Sequence, residues 1–426
     1  MAYPDTYYKR TISDARARPE LTGTIECDTV IVGGGLAGLT TALQLSRAGQ
    51  SVVLLEAESV GFGASGRNGG FVSPGFATGG DEIARMAGVE AARSIHRLSI
   101  EGVDFVRDTI RELSIEDARP QPGISSMLRY DGGDTLKKHA DAMAKTYGYE
   151  LEYLDTARVR SVLKSKRYFQ GLRDGRAFHM HPLNYLRGVA AEIERLGGRI
   201  FEHAPAQRCE LDGAEKVVAT AGGRVKARQV VFTTGGYTGG LNGRLKRAFL
   251  PIATYVMVSE EAPELIRSAI ETTDAIGDNR RAGDYYRVID GGKRLLWGGR
   301  ITTRAASPAA LVGELRSEMT GTYPQLSGLK TELAWSGLMS YARHLMPQIG
   351  QMQPGVWHCT AFGGHGLNTT AMGGKLIAEA ILGESDRYKL FKPFGLVWAG
   401  GVAGLAVAQL TYWKLQAQDW WRERAA

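Results

Sequence analysis

Residues 25–32 (IECDTVIV) close on an apolar run of the kind that fills a buried strand. The pattern then switches to GGGLAG and on to LTTALQLSRAG, where Leu39, Ala42, Leu43 and Leu45 recur on one helix face and Gly49 supplies the stop. SVVLLE at 51–56 predicts a second buried strand, so strand, helix and strand together form a unit of about 30 residues, as a right-handed parallel crossover requires. Residues 80–120 are predicted to be helical, with Ile83, Met86 and Val89 at helical spacing. PLNYLRGVAAEIERLGG (182–198) predicts a helix with Pro at its start and Gly at its end, and RQVVFTTGG (228–236) a strand running into a glycine turn. RRAGDYYRVIDGGKRLLWGGRI (280–301) predicts two strands around Asp290-Gly291-Gly292, a hairpin. Parallel α/β pieces thus alternate with antiparallel ones, and no repeat of 20–50 residues is visible.

The chain has 426 residues, enough for two or three domains or one large α/β unit with an inserted second part. At 43% hydrophobic and 23% charged residues it excludes a disordered, collagen-like or polytopic membrane protein. Its 55 glycines, many in doublets, predict close backbone approaches around a large ligand. The net charge of +7 raises the question of nucleic acid, but Lys and Arg form no long run with interleaved aromatics, so none is expected. Cys27, Cys209 and Cys359 are far apart and lack a CxxC spacing, which argues against a disulfide framework or a metal site and for a reducing compartment. The polar opening MAYPDTYYKR argues against a secretory signal.

Gly33, Gly35 and Gly38 form G-x-G-x-x-G between the first strand and its helix, and Glu56 ends the second strand 18 residues beyond Gly38. Glycines there permit a tight turn and bring backbone N–H groups to a pyrophosphate at the helix N-terminus, while a carboxylate at Glu56 accepts both ribose hydroxyls and disfavours a 2′-phosphate. FAD and NAD share this unit. Two later segments separate them: GFGASGRNGG (61–70), directly after Glu56, and FGGHGLNTTAMGGKLIAEAI (362–381), which opens a late helix.

With these segments, His181-Pro182, the Asp284-Tyr285-Tyr286-Arg287 to Trp297-Gly298-Gly299-Arg300 hairpin and Pro347-Gln348-Ile349-Gly350, the chain resembles the D-amino-acid oxidase and sarcosine/glycine oxidase family of FAD enzymes over residues 25 to 385, in its amine-oxidising branch. The resemblance implies an α/β fold with a Rossmann-type FAD-binding domain and an inserted substrate domain built on a large antiparallel β-sheet, followed by an apolar C-terminal helix. The expected boundaries are 25–80, 175–240 and 345–385 for the FAD domain, 81–174 and 241–344 for the substrate domain, and 388–426 for the tail. It implies hydride transfer from an amine-bearing carbon to flavin N5 and hydrolysis of the resulting imine. The FAD contacts it implies are Gly33, Gly35, Leu36, Ala37, Gly38, Glu56, Ala57, Gly63, Ala64, Ser65, Arg67, Asn68, Gly69, Gly70, Gly235, Gly364, His365, Gly366, Leu367 and Asn368.

Departures from the family pattern refine this expectation. Some relatives attach FAD through a His at the position of Arg67 and others through a late Cys; Arg67 cannot form that bond and Cys359 lies in an apolar run, so FAD is expected to be non-covalent. Sarcosine oxidases carry Lys where this chain has Asn368, which puts rapid reaction with O2 in doubt unless His365, the expected catalytic residue, supplies charge instead. Glycine oxidase has a carboxylate-binding Arg where this chain has Met339. The substrate-binding candidates are therefore Tyr255, Tyr286, Arg287 and Arg343, with Tyr285 and Arg287 on one strand face and Tyr286 on the other. His344 and His358 are expected to be structural.

Residues 393–413 hold 21 residues without charge, bounded by Lys389 and Lys392 before and Lys414, Arg422 and Arg424 after. That length permits a membrane span, Gly400-x-x-x-Gly404 permits close helix packing, and Trp398, Trp413, Trp420 and Trp421 resemble interfacial aromatics. A membrane partner is therefore expected, with a place on the cytoplasmic face of the inner membrane and O2 or a membrane quinone as electron acceptor; a docked helix on a soluble cytoplasmic protein is the alternative. The expected substrate is a small-molecule amine or amino acid, L-pipecolate or a similar cyclic secondary amino acid first, γ-glutamylputrescine or another polyamine derivative second. A flavin-binding protein without turnover is the alternative from another class.

Overall fold

The computed structural model describes residues 3–280, 283–303 and 307–425. Along the chain, β1 (Gly23–Val32) leads into α1 (Leu36–Arg47) and β2 (Val52–Leu55). Helix α2 (Val89–Glu112), β3 (Gln121–Met127), β4 (Gly171–His179), α3 (Pro182–Arg195), β5 (Arg199–Phe201) and β6 (Gly223–Phe232) follow. The remainder comprises β7 (Leu250–Ser259), β8 (Ala275–Asp278), β9 (Tyr285–Ile289), β10 (Arg294–Thr302), β11 (Thr331–Tyr341), β12 (Gln348–Gln353), β13 (Val356–Thr360), α4 (Leu367–Leu382) and α5 (Gly401–Ala425). The other elements are named by residue.

The first sheet has the order β12-β13-β6-β1-β2-β5 and is parallel along this path apart from the edge pair β12–β13, with Lys216–Ala219 and then Arg208–Glu210 added antiparallel alongside β6. The apolar run ending β1 is buried on both faces, since Val30 and Val32 pack with Val53, Val230 and Phe232 while Ile31 joins the helical layer of α1, α2, α3 and α4. Two-sided burial is the reason a parallel strand reads as a continuous hydrophobic run. The predicted long helix over 80–120 is broken at Gly88, whose φ of +87° a side chain would resist.

The second sheet runs β11-β7-β10-β9-β8-β3-β4 and ends on Phe71–Val72. It is antiparallel as expected except that β8 lies parallel to β3. The two strands come from separate excursions of the chain, one before and one after its return to the first sheet, so no hairpin constrains their direction. The predicted hairpin is present, with β9 and β10 paired around Asp290–Gly292. Near the expected boundaries at 81 and 174, α2 places Ile95, Val103 and Val106 in the nucleotide-side core, and β4 continues the second sheet to His179.

The tail departs from the reading as a span. Of the uncharged stretch only residues 401–413 are α-helical, about 20 Å at 1.5 Å per residue against a hydrocarbon core of about 30 Å, because Pro393, Gly395 and the positive φ at Gly400 hold the preceding residues out of the helix. No helix of the described residues is long and apolar enough to cross a membrane. The helix is instead seated on the second sheet. The Ala399 N–H donates to Arg247 O at 2.9 Å, Gln409 Oε1 accepts from the Thr303 N–H at 3.1 Å, and the Glu423 carboxylate lies 3.3 Å from Arg167 and 3.5 Å from Arg129.

Candidate active site

One cavity of about 1280 Å3 runs between the two sheets. Its first end lies at the carboxyl ends of β1, β2 and β6, where Gly33, Gly35, Leu36, Ala37, Glu56, Ala57 and Gly235 line it. Gly33 has φ +116°, and a Cβ there would stand 2.9 Å from Thr233 O, so the turn requires glycine. Gly38 does not face the cavity; it lets α1 lie against the end of β1, within 2.1 Å of Gly33 O for any added Cβ. Helix α1 opens with no side-chain cap at Gly35 and no acidic residue in its first turn, which leaves its N-terminus fit for a diphosphate. Glu56 accepts from the Gly34 N–H at 2.6 Å and the Glu58 N–H at 2.9 Å, and burial raises its pKa above the usual carboxylate value. These residues fit a dinucleotide.

The segment 61–70 forms the floor. Gly63, Ala64, Ser65, Arg67, Asn68 and Gly69 line the cavity, and Ser65 Oγ accepts from the Leu36 N–H at 3.1 Å. Arg67 is buried, donates to Ser336 O at 3.1 Å and to the Tyr237 hydroxyl, and lies 4.8 Å from the Phe62 ring centroid. Asn68 ties its own turn, donating to Ala64 O and Ser65 O and accepting from the Gly70 N–H. Gly70 stays outside the cavity, packed on Met180 O and Arg287.

At the other end Gly364, His365, Gly366, Leu367 and Asn368 line the cavity where α4 begins, again with no side-chain cap and no acidic residue in the first turn. His365 is exposed on the cavity wall, and desolvation by the protein around it lowers its pKa below the ordinary value. This direction favours the neutral ring and weighs against His365 replacing the charge of the missing Lys. The Asn368 amide turns away to donate to Ser99 O at 2.9 Å.

Three of the substrate candidates do not reach the cavity. Tyr286 is fully buried, stacks on Trp297 with centroids 4.2 Å apart and shares hydroxyl contacts with Tyr323 at 2.7 Å and Tyr168 at 3.2 Å. Tyr255 lies in the same core, while its neighbour Thr254 faces the cavity. Arg287 is a buried strut that donates to Gly69 O and Met180 O at 2.8 Å and to the Tyr8 hydroxyl at 3.1 Å, holding the 61–70 loop. Arg343 does line the cavity, is exposed there, and has no hydrogen-bond or ion-pair partner among the described residues. The alternation along β9 holds, so Tyr285, not Tyr286, faces the cavity. Sequence reasoning passed over Tyr237 and Tyr341 as wall residues, while Met339, which stands where glycine oxidase has its carboxylate-binding Arg, does line the cavity; Tyr237 follows the Gly235-Gly236 turn, which was a usable signal.

A dinucleotide cradle joined through one cavity to a second helix N-terminus at a strand-edged chamber defines a flavin-dependent oxidoreductase. The chain belongs to the DAO family of FAD-dependent oxidoreductases, whose family model matches residues 28–380. It is 32% identical to gamma-glutamylputrescine oxidoreductase of Escherichia coli (strain K12) over 392 residues, 91% of each chain. It is 30% identical to the probable oxidoreductase OrdL of Haemophilus influenzae over 88% of this chain and 87% of that one. Among solved structures, glycine oxidase from Geobacillus kaustophilus superposes with a TM-score of 0.73 at 18% identity, covering 88% of this chain and 99% of that one. The cofactor is FAD, and the enzyme oxidises an amine or amino acid.

Neither expected attachment residue is suited to bond the flavin, although Cys359 borders the cavity. Arg67 offers no nucleophile, and burial raises the pKa of the Cys359 thiol while Gly373 packs against its sulfur. Acid precipitation should therefore release all the flavin into the supernatant; yellow colour retained by the washed polypeptide would contradict this.

Proposed function

We propose that this enzyme oxidises the primary amine of an extended, carboxylate-bearing amine of the γ-glutamylputrescine type. The observation that carries the reading is Arg343, a cavity-wall guanidinium without a side-chain partner, in a chamber whose other lining Arg, Arg67, is engaged by backbone and hydroxyl oxygens. A carboxylate on the substrate would complete Arg343. The relatedness to the Escherichia coli enzyme supports the same substrate class.

Bound FAD supplies the hydride acceptor. The chain's part is to hold the amine and its carbon still, exclude water and keep charge off the reacting nitrogen. Neutral His365 opposes no cationic amine on entry and offers an imidazole nitrogen to its proton. Thr254, Tyr285 and Tyr341 line the chamber, Tyr341 lying against the turn that leads into α4. The relatedness to the Escherichia coli enzyme favours this substrate class over a compact cyclic amino acid such as L-pipecolate; the tail is seated on the protein at Ala399, Gln409 and Glu423 while Trp398, Val402, Leu410, Trp413, Trp420 and Trp421 remain exposed.

Anaerobic mixing of the holoenzyme with γ-glutamylputrescine should bleach the flavin, faster as pH rises and the amine loses its proton. Arg343→Ala should raise the KM for that substrate tenfold or more while changing the KM for putrescine, which lacks the carboxylate, much less. Equal effects on the two amines would refute the role of Arg343, and bleaching by L-pipecolate alone would refute the substrate class.

A further inference from the structure

The family match ends at residue 380, yet the wall that closes the chamber comes from beyond it. We propose that α5 is the specificity wall of this active site and selects amines carrying an unbranched aliphatic chain over compact ones. The inference rests on the amine-oxidation reading above and adds to it the element that discriminates.

The helix presents one face to the cavity, with Gly404, Ala408, Thr411 and Leu415 at helical spacing. The first two are small, so the wall is recessed where it crosses β7; a Cβ on Gly404 would stand 3.3 Å from Leu250 Cδ2. Opposite lie Ile252, Leu338 and Met339. The slot between these surfaces is mainly apolar, with Val407 and Ala408 on the helix side and Thr411 and Tyr412 as its polar members, and offers methylene groups the contact they lose from water. A compact ring would leave it unfilled.

A wall can discriminate only if it is held in place, and α5 is held at three points. Ala399 pairs with Arg247 before the helix, Gln409 bonds Thr302 and Thr303 at its middle, and Glu423 meets Arg129, Arg167 and Arg280 near its end. Arg129 and Arg280 also clamp Asp278, which itself lines the cavity, so the far anchor of the helix is continuous with the chamber wall.

The test uses the flavin-loaded full chain. Ala408→Leu and Ala408→Trp, which fill the slot, should lower kcat/KM for an N-acylated 1,4-diaminobutane at least tenfold relative to sarcosine. Glu423→Gln with Gln409→Ala, which frees the helix without filling the slot, should instead narrow the preference of the unaltered enzyme for the longer amine. Binding is read separately from turnover by the flavin absorbance shift on adding hexanoate or acetate. Loss of the hexanoate response in Ala408→Trp, with the acetate response retained, supports the wall even if no amine is turned over, in which case the amine-oxidation reading alone fails. Folded, flavin-loaded Ala408 variants with an unchanged ratio and an unchanged hexanoate response overturn the proposal.

Discussion

Gly38→Val is expected to yield a protein that purifies with less than a tenth of its normal flavin. The new Cβ would lie 2.1 Å from Gly33 O, 2.7 Å from Thr233 Oγ1 and 3.2 Å from Ile31 Cγ2. None of these can yield cheaply. Gly33 already occupies a conformation open only to glycine, and Thr233 Oγ1 is fixed by bonds to Val32 O and Gly33 O at 3.0 Å. Helix α1 must move off the strand and take its N-terminal amides with it. Losing two charge-assisted bonds to a diphosphate at roughly 1.5–3 kcal/mol each lowers affinity a hundredfold or more. Gly313→Ala is the control, because nothing lies within 4 Å of the Cβ it would add to an exposed helical turn. It should keep its flavin and gain about 0.5–1 kcal/mol. The ratio of flavin to protein absorbance after gel filtration reads both, and a fully yellow Gly38→Val would show that the turn tolerates what its geometry forbids.

Acid should destabilise the fold well before most carboxylates titrate. Burial pulls the pKa of His179 and His181 down to about 3 and that of His358 to about 4, with the charges of Arg287 and Arg244 adding to the effect. In the unfolded chain these rings titrate near 6.5. Between those values the unfolded state binds protons that the native state refuses, so stability falls as pH drops from about 6.5 toward 4. Asp284, raised to about 6 by burial, and Glu56, raised by the same cause, act in the opposite sense over part of that window. The histidines outnumber them, which leaves a net loss of roughly 1–2 kcal/mol per pH unit. Urea unfolding at pH 7 and pH 5 measures it. His181→Asn should flatten the slope while keeping the cap, since His181 Nδ1 accepts from the Asn184 N–H at 3.1 Å and an Asn carbonyl can do the same. A midpoint equal at the two pH values would mean that these rings are protonated in the native state.

The parallel unit and its cradle were legible because local pattern and function coincide there: the apolar run, the three glycines and Glu56 each have one structural use. The β9–β10 hairpin was legible for a similar reason, since Asp290-Gly291-Gly292 has little use but a turn. Alternation along β9 was legible too, but not which face meets the cavity or which groups are already engaged. Arg287 shares a face with Tyr285, yet its guanidinium is consumed by Gly69, Met180 and Tyr8, residues far off in sequence. The possibility of a span in the tail failed for the opposite reason. Hydropathy registers the absence of charge but not the breaks at Pro393 and Gly400, nor that Glu423 would find three arginines contributed by separate parts of the chain.

The interleaving of the two sheets limits how this enzyme can be taken apart. The parallel sheet draws on residues 23–55, 199–232 and 348–360, and the other on 71–179 and 250–341. No uninterrupted fragment shorter than most of the chain contains either sheet whole. A chimera that exchanges the substrate half for a relative's must be spliced between 55 and 71, 179 and 199, 232 and 250, and 341 and 348. During synthesis, β1 and β2 must wait for β13 before their sheet is complete, which puts much of the native pairing at long sequence separation and makes for slow folding with exposed strand edges. Single-crossover recombination between homologues would therefore tend to preserve function only where both parents already agree on how the two sheets meet.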